Sequence, residues 1–98
     1  MIVRSSEAWI ADGNRDEFMA TLVELVATFP GCYPGLVSHS ILIDRDDPDR
    51  VVYQSVWADQ DAVRAFAGER WQTEPVTFPG EDTLLRKPLT LRHFSPLD

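Results

Sequence analysis

Two helix-period segments interrupt four strand-period segments in this sequence, and the order β-α-β-β-α-β leaves few folds open. Ile2 to Ile10 alternates as a strand, with Ile2, Arg4, Ser6, Ala8 and Ile10 in one set and Val3, Ser5, Glu7 and Trp9 in the other. Neither set is wholly polar, so both faces of this strand are expected to be covered. Asp12-Gly13 supplies a turn. Asn14 then reads as an N-cap, with Glu17 at capping-box spacing. Phe18, Leu22, Leu25, Val26 and Phe29 form an apolar helical stripe opposite Glu17, Thr21, Glu24 and Thr28. Pro30-Gly31 is expected to end this helix.

After a Pro34-Gly35 turn, Leu36 to Asp44 and Val51 to Trp57 read as a hairpin around the polar run Asp46-Asp47-Pro48-Asp49. Asp59 should cap a second helix running to Ala67, with Gly68 at its C′ position and Ala62, Ala65 and Phe66 towards the sheet. Glu69 to Pro88 holds Pro75, Pro79 and Pro88, which forbid a long element, although Thr83 to Arg86 suits a single helical turn. A loop of that length in a small domain is usually functional or part of an interface. Leu89 to Phe94 is the last strand.

This is the ferredoxin-like split βαβ pattern: an α+β fold with an antiparallel sheet and both helices on one face, in one domain spanning residues 1–98. The other sheet face carries apolar residues from several strands and has nothing in the chain to cover it. An uncovered apolar face calls for a partner, and a symmetric homodimer packed through the sheet is the expected one.

Composition narrows the partners further. Nine basic against 16 acidic residues give a net charge of −7, which repels phosphate backbones and anionic lipid surfaces; no nucleic-acid or membrane partner is expected. No stretch is long and apolar enough to span a bilayer, and Met1 to Glu7 lacks a signal-like apolar core, so the cytoplasm is the expected location. The single cysteine, Cys32, rules out an intrachain disulfide and has no basic neighbour to activate it as a nucleophile.

Four segments resemble the antibiotic biosynthesis monooxygenase (ABM) family. Gly13-Asn14-Arg15-Asp16-Glu17-Phe18 is similar to the family's opening of helix one, and Pro34-Gly35-Leu36-Val37-Ser38-His39 to its entry into strand two. Val56-Trp57-Ala58-Asp59-Gln60-Asp61-Ala62 resembles the tryptophan-to-cap signature after strand three, and Arg92-His93-Phe94 the ending of the last strand. The match covers most of residues 2–95. The resemblance implies a dimeric α+β barrel, two sheets packed face to face with helices outside. It also implies a cofactor-independent oxygenase, in which a small aromatic substrate loses a proton and passes an electron to dioxygen in a dry pocket.

On this resemblance Trp57 lines the pocket between sheet and helices and offers its indole N–H to a substrate oxygen. A tryptophan at a strand end equally serves to lock a helix onto a sheet, and both readings stay open. Tyr53 and Ser55 share its face by strand alternation and would give an apolar wall a polar rim. The polyketide oxygenases of the family place an amide four residues before the tryptophan and a tyrosine six after it; here Tyr53 and Val63 stand there. His39 and His93, the only histidines, suit a general base, a metal ligand or a satisfied structural residue. Glu7 is a further proton acceptor or simply a charge on the dimer face. Phe66 and Trp71 are expected as substrate-binding neighbours of Trp57, with Trp71 as a lid.

No metal site is expected, because no complete ligand set occurs at a recognisable spacing. The acidic run from Asp44 to Arg50 is too short and glycine-poor for a calcium loop. Haem oxidation fits poorly. The haem-degrading relatives use an asparagine on strand one, a tryptophan in helix two and a histidine soon after, whereas this chain has no asparagine on strand one, Phe66 in the helix and no histidine between His39 and His93. The expectation is therefore an oxygenase of a small aromatic or quinol-like compound working without metal or flavin. The alternative is a non-catalytic dimer that binds a small ligand or supports an assembly.

Overall fold

The computed structural model describes residues 1–97. Strands β1 (Ile2–Trp9), β2 (Leu36–Ile43), β3 (Arg50–Trp57) and β4 (Thr90–Phe94) form one sheet in the order β2-β3-β1-β4, with every neighbouring pair antiparallel. Helices α1 (Arg15–Ala27), α2 (Phe29–Cys32) and α3 (Gln60–Ala67) fill the connections, and residues Glu81–Leu84 form a 3₁₀ turn before β4. This is the expected ferredoxin-like α+β order with one short helix added.

Register sorts the side chains. Arg4, Ser6 and Ala8 of β1 pair with Ser55, Tyr53 and Val51 of β3, and all six turn towards the helices. The main core lies there: Ala8, Ile10, Phe18, Leu22, Val26, Phe29, Val51 and Phe78 are buried together. A smaller core of Trp57, Val63 and Trp71 sits beneath α3. The opposite face carries Val3, Val52 and Val56 with the exposed Leu42 and Phe94, and no element among the described residues covers it. Glu7 lies on that face, where its carboxylate accepts from Arg50 at 2.7 Å.

Three local expectations are corrected. Asn14 stands at the N-cap of α1, but its side chain makes no capping bond and the capping box with Glu17 does not form. Its backbone (φ −101°, ψ 1°) is not the extended conformation that aims a cap side chain at the first turn. Pro30-Gly31 does not end the helical path. α1 stops at Ala27, and Pro30 sits in the first turn of α2, where a missing N–H costs nothing. In α3 it is Val63 that is fully buried, while Ala65 is exposed, because Val63 and Phe66 lie three apart on the same helical face.

Asp59 does cap α3, accepting from the Ala62 N–H at 2.8 Å, and Gly68 closes it at φ 88°. Gly35 answers to packing: a Cβ there would overlap the Ala62 Cβ, so only glycine lets the entry to β2 lie against α3. A register shift between Leu36 and Ser38 leaves Val37 as an extra residue in β2. Leu36 and His39 therefore both face the helices despite their odd spacing.

Candidate functional site

A cleft opens between the sheet and α1. Its floor is Arg4, Ser6, Ala8, Val51, Tyr53 and Ser55; α1 and α2 supply Phe18, Leu22, Leu25, Val26 and Phe29. Phe66, Val76, Glu81 and Leu89 close the remaining sides. The walls are mostly apolar with a narrow polar strip, the pattern of small-molecule sites. The free space is only about 40 Å³. A cavity on the order of 150 Å³ accommodates a benzene ring, so an aromatic ligand enters only if the walls of the cleft move apart.

Strand pairing brings both histidines to this side of the sheet. His39, Ser55, Arg4 and His93 stand in one transverse row across all four strands. At one end His39 Nδ1 lies 2.8 Å from the Tyr53 hydroxyl, within hydrogen-bond reach. Burial raises the Tyr53 pKa, so this hydroxyl keeps its proton at neutral pH. At the other end Arg4 Nη1 donates to His93 Nε2 at 3.0 Å. An arginine only donates, so His93 accepts through Nε2 and carries its proton on Nδ1. Burial, followed by the Arg4 charge, lowers the His93 pKa and keeps the ring neutral.

Of the residues expected from sequence, Tyr53, Ser55 and Phe66 line the cleft. Trp57 lies on the helix side as expected, but it is fully buried outside the cleft lining, and its indole N–H donates to Ser55 Oγ at 2.9 Å. It stacks on Phe66 with ring centroids 4.6 Å apart. It thus reaches the cleft only through Ser55 and Phe66. Trp71 is buried beside His93, edge to face at 4.9 Å, and its carbonyl accepts from Arg4 at 2.6 Å. Trp71, expected as a lid, is not part of the cleft lining, whereas Val76 and Glu81 are. His39, His93 and Trp71 do not line the cleft.

The two charged residues of the cleft lining were not among the site residues expected from sequence. Arg4 was visible as a lone charge among the inward set Ile2, Ala8 and Ile10. Glu81 gave no signal, because it falls in the irregular loop. Among the described residues no group of three or more His, Cys, Asp or Glu side chains is arranged to hold a metal ion, and no helix is long and apolar enough to cross a membrane.

A four-stranded antiparallel sheet with helices on one face and a small apolar cleft between them defines a ferredoxin-like α+β domain. Residues 1–74 match the sequence model of the family described as antibiotic biosynthesis monooxygenase, and the chain belongs to that family. Solved structures share the fold. An antibiotic biosynthesis monooxygenase superposes with a TM-score of 0.80 at 19% identity, covering 100% of both chains. A conserved protein from Methanosarcina mazei Go1 gives 0.78 at 15% identity over 95% of this chain and 89% of its own. SnoaB, a cofactor-independent oxygenase from Streptomyces nogalater, gives 0.71 at 22% identity over 99% of this chain and 93% of its own. No curated protein matches the chain in sequence.

Proposed function

We propose that this chain is a monooxygenase that oxidises a small aromatic or quinol-like compound with dioxygen, without metal or flavin, in the cleft between the sheet and α1. The observation that carries this reading is the cleft itself: aromatic walls from Phe18, Phe29 and Phe66 around a polar strip of Ser6, Tyr53 and Ser55, on a fold shared with a cofactor-independent oxygenase. In such a reaction the substrate supplies the electrons, and the protein binds the ring, keeps water out and stabilises the anion that forms.

Tyr53 and Ser55 touch the substrate in this reading, the first as a hydrogen-bond donor. His39 and Trp57 hold those two from behind, through the bonds at 2.8 Å and 2.9 Å. Phe66 stacks on the ring, and His93 and Trp71 fix Arg4. The working unit is a homodimer closed through the open sheet face, acting in the cytoplasm.

One observation favours the alternative, a non-catalytic dimer that binds a small ligand: the indole N–H of Trp57 and one nitrogen of His39 already bond to other side chains. Oxygen uptake with a panel of hydroquinones separates the two. The oxygenase consumes one dioxygen per turnover in proportion to protein, placing one oxygen atom in a hydroxylated quinone and the other in water. Saturable binding without uptake across the panel would establish the alternative.

A further inference from the structure

A second depression lies against the cleft. It is an open groove of about 760 Å³ whose apolar lining is Pro75, Phe78, Pro79, Leu85, Pro88 and Leu89. Glu81 and Leu89 line the cleft as well, so the two spaces share a wall. The groove follows from the register of the returning chain. Leu85 bridges to Ile10 and Thr90 pairs with Glu7, which sets five steps of that chain against three of β1. The surplus bows the chain away from β1 before β4 begins. Pro75, Pro79 and Pro88 hold their φ fixed and lack the N–H that a ladder would use. Flanking contacts hold the groove in shape. The Arg86 N–H donates to the Trp9 carbonyl at 2.9 Å, and the Arg86 guanidinium pairs with Asp47 at 3.0 Å. Phe78 packs on Phe18 of α1 with ring centroids 5.7 Å apart. The groove is thus open before any ligand arrives, whereas the cleft holds only about 40 Å³ of free space.

The two cations of the groove already have company. Arg86 has Asp47, and the Lys87 ammonium lies 3.7 Å from the centre of the Trp9 ring. An occupant therefore needs no charge, and gains chiefly by burying carbon against the prolines and leucines. A ring that enters the cleft alone must part its walls with only its own contacts. A ring joined to a chain in the groove has further contacts that require no opening, and these offset the cost of parting the walls. We propose that the groove is the outer compartment of the ligand site, and that the ligand has two parts: an aromatic ring for the cleft and an uncharged aliphatic chain for the groove. The chain crosses from one to the other over Glu81 and Leu89. This inference rests on the reading of the cleft as the ligand site, but it does not need the ligand to be oxidised.

Isothermal titration under argon tests it, with hydroquinone and its methyl, propyl and hexyl ring derivatives as ligands. Argon keeps the ligands reduced, so binding is read apart from oxygen chemistry. In the wild type, affinity should rise about fourfold for each methylene fully buried in the groove, and the hexyl-to-methyl ratio should be on the order of a hundredfold. Thr77→Asp and Pro79→Asp each put a charge into the groove at an exposed position outside the cleft lining. Each should lower the ratio by about tenfold or more, because the chain would then lie against a carboxylate. The ratio is taken within one variant, so it cancels any change common to both ligands. A ratio near one in the wild type, with hydroquinone bound, overturns the two-part ligand and leaves the cleft reading standing. A high ratio that both variants retain puts the chain elsewhere and overturns it too. No binding by any member of the series overturns the cleft reading itself.

Discussion

Arg4 and His93 stand directly across paired strands, and the guanidinium donates to the ring nitrogen Nε2 at 3.0 Å. The contact exists only while His93 is neutral, because a protonated ring has no lone pair to offer.

That geometry predicts a loss of stability in acid. The folded His93 pKa lies below its ordinary value, through burial and then the Arg4 charge. The unfolded chain therefore binds a proton on this residue before the folded one does. Its contribution is fully present above the unfolded pKa of roughly 6.5 and declines as pH falls below that. His93→Gln keeps an acceptor that cannot titrate. Between about pH 7.5 and pH 5.5 its melting temperature should fall less than that of the wild type; equal falls would mean that the ring protonates freely.

Glu81 works in the opposite direction. Its folded pKa of about 7 lies above the ordinary carboxylate value of 4.5. The carboxyl is tolerated fully below the unfolded pKa, and stability is lost as pH rises through 7. Glu81→Gln should match the wild type at about pH 5 and exceed it at about pH 8.5, by a margin on the order of 1–3 kcal/mol. Chemical denaturation at the two pH values measures the difference.

Gly35 should resist substitution. An added Cβ would overlap Ala62, and overpacking of this kind costs about 1–3 kcal/mol. Urea denaturation of Gly35→Ala should show that loss. The double variant Gly35→Ala with Ala62→Gly should recover part of it, although glycine inside α3 adds a cost of about 1 kcal/mol.

Trp57→Phe keeps most of the ring but removes the donor to Ser55 and much of the stack on Phe66. Since Trp57 is fully buried outside the cleft lining, stability should fall by about 1–2 kcal/mol. Ligand affinity per folded molecule should change less than threefold. A large loss of affinity at unchanged melting temperature would put Trp57 in direct contact with the ligand.

The open sheet face predicts self-association. Sedimentation at micromolar concentration should give about twice the chain mass, and Val52→Asp or Val56→Asp should shift the protein towards monomer. A wild-type monomer under those conditions would remove the barrel from the account.

The fold was readable because each element carries its own period. The stripe Phe18, Leu22, Val26 and Phe29 is buried as its spacing requires, and the alternation in β3 placed Tyr53, Ser55 and Trp57 on one face. The site was readable only in part. Alternation gives the face of a residue but not its neighbour across the sheet, so the row joining His39, Ser55, Arg4 and His93 appears only with the register. It also cannot show that Trp57 would find its acceptor two residues away on its own strand. Arg4 stood in the inward set of β1, but an arginine there reads as an exception until the carbonyls of Trp71 and Glu74 come into view. Glu81 lies where neither period operates.

The extra residue in β2 lets chain length vary here without disturbing the cleft. Val37 has no partner across the ladder, while Leu36 and Ser38 sit opposite the consecutive residues Trp57 and Val56. With Val37 deleted, the ladder would close up and run on regularly, and His39 would stay opposite Ser55, within reach of the Tyr53 hydroxyl. A single lost codon would thus straighten the strand and leave the polar partner of Tyr53 in place, so relatives that differ by one residue at this point can keep the same cleft chemistry.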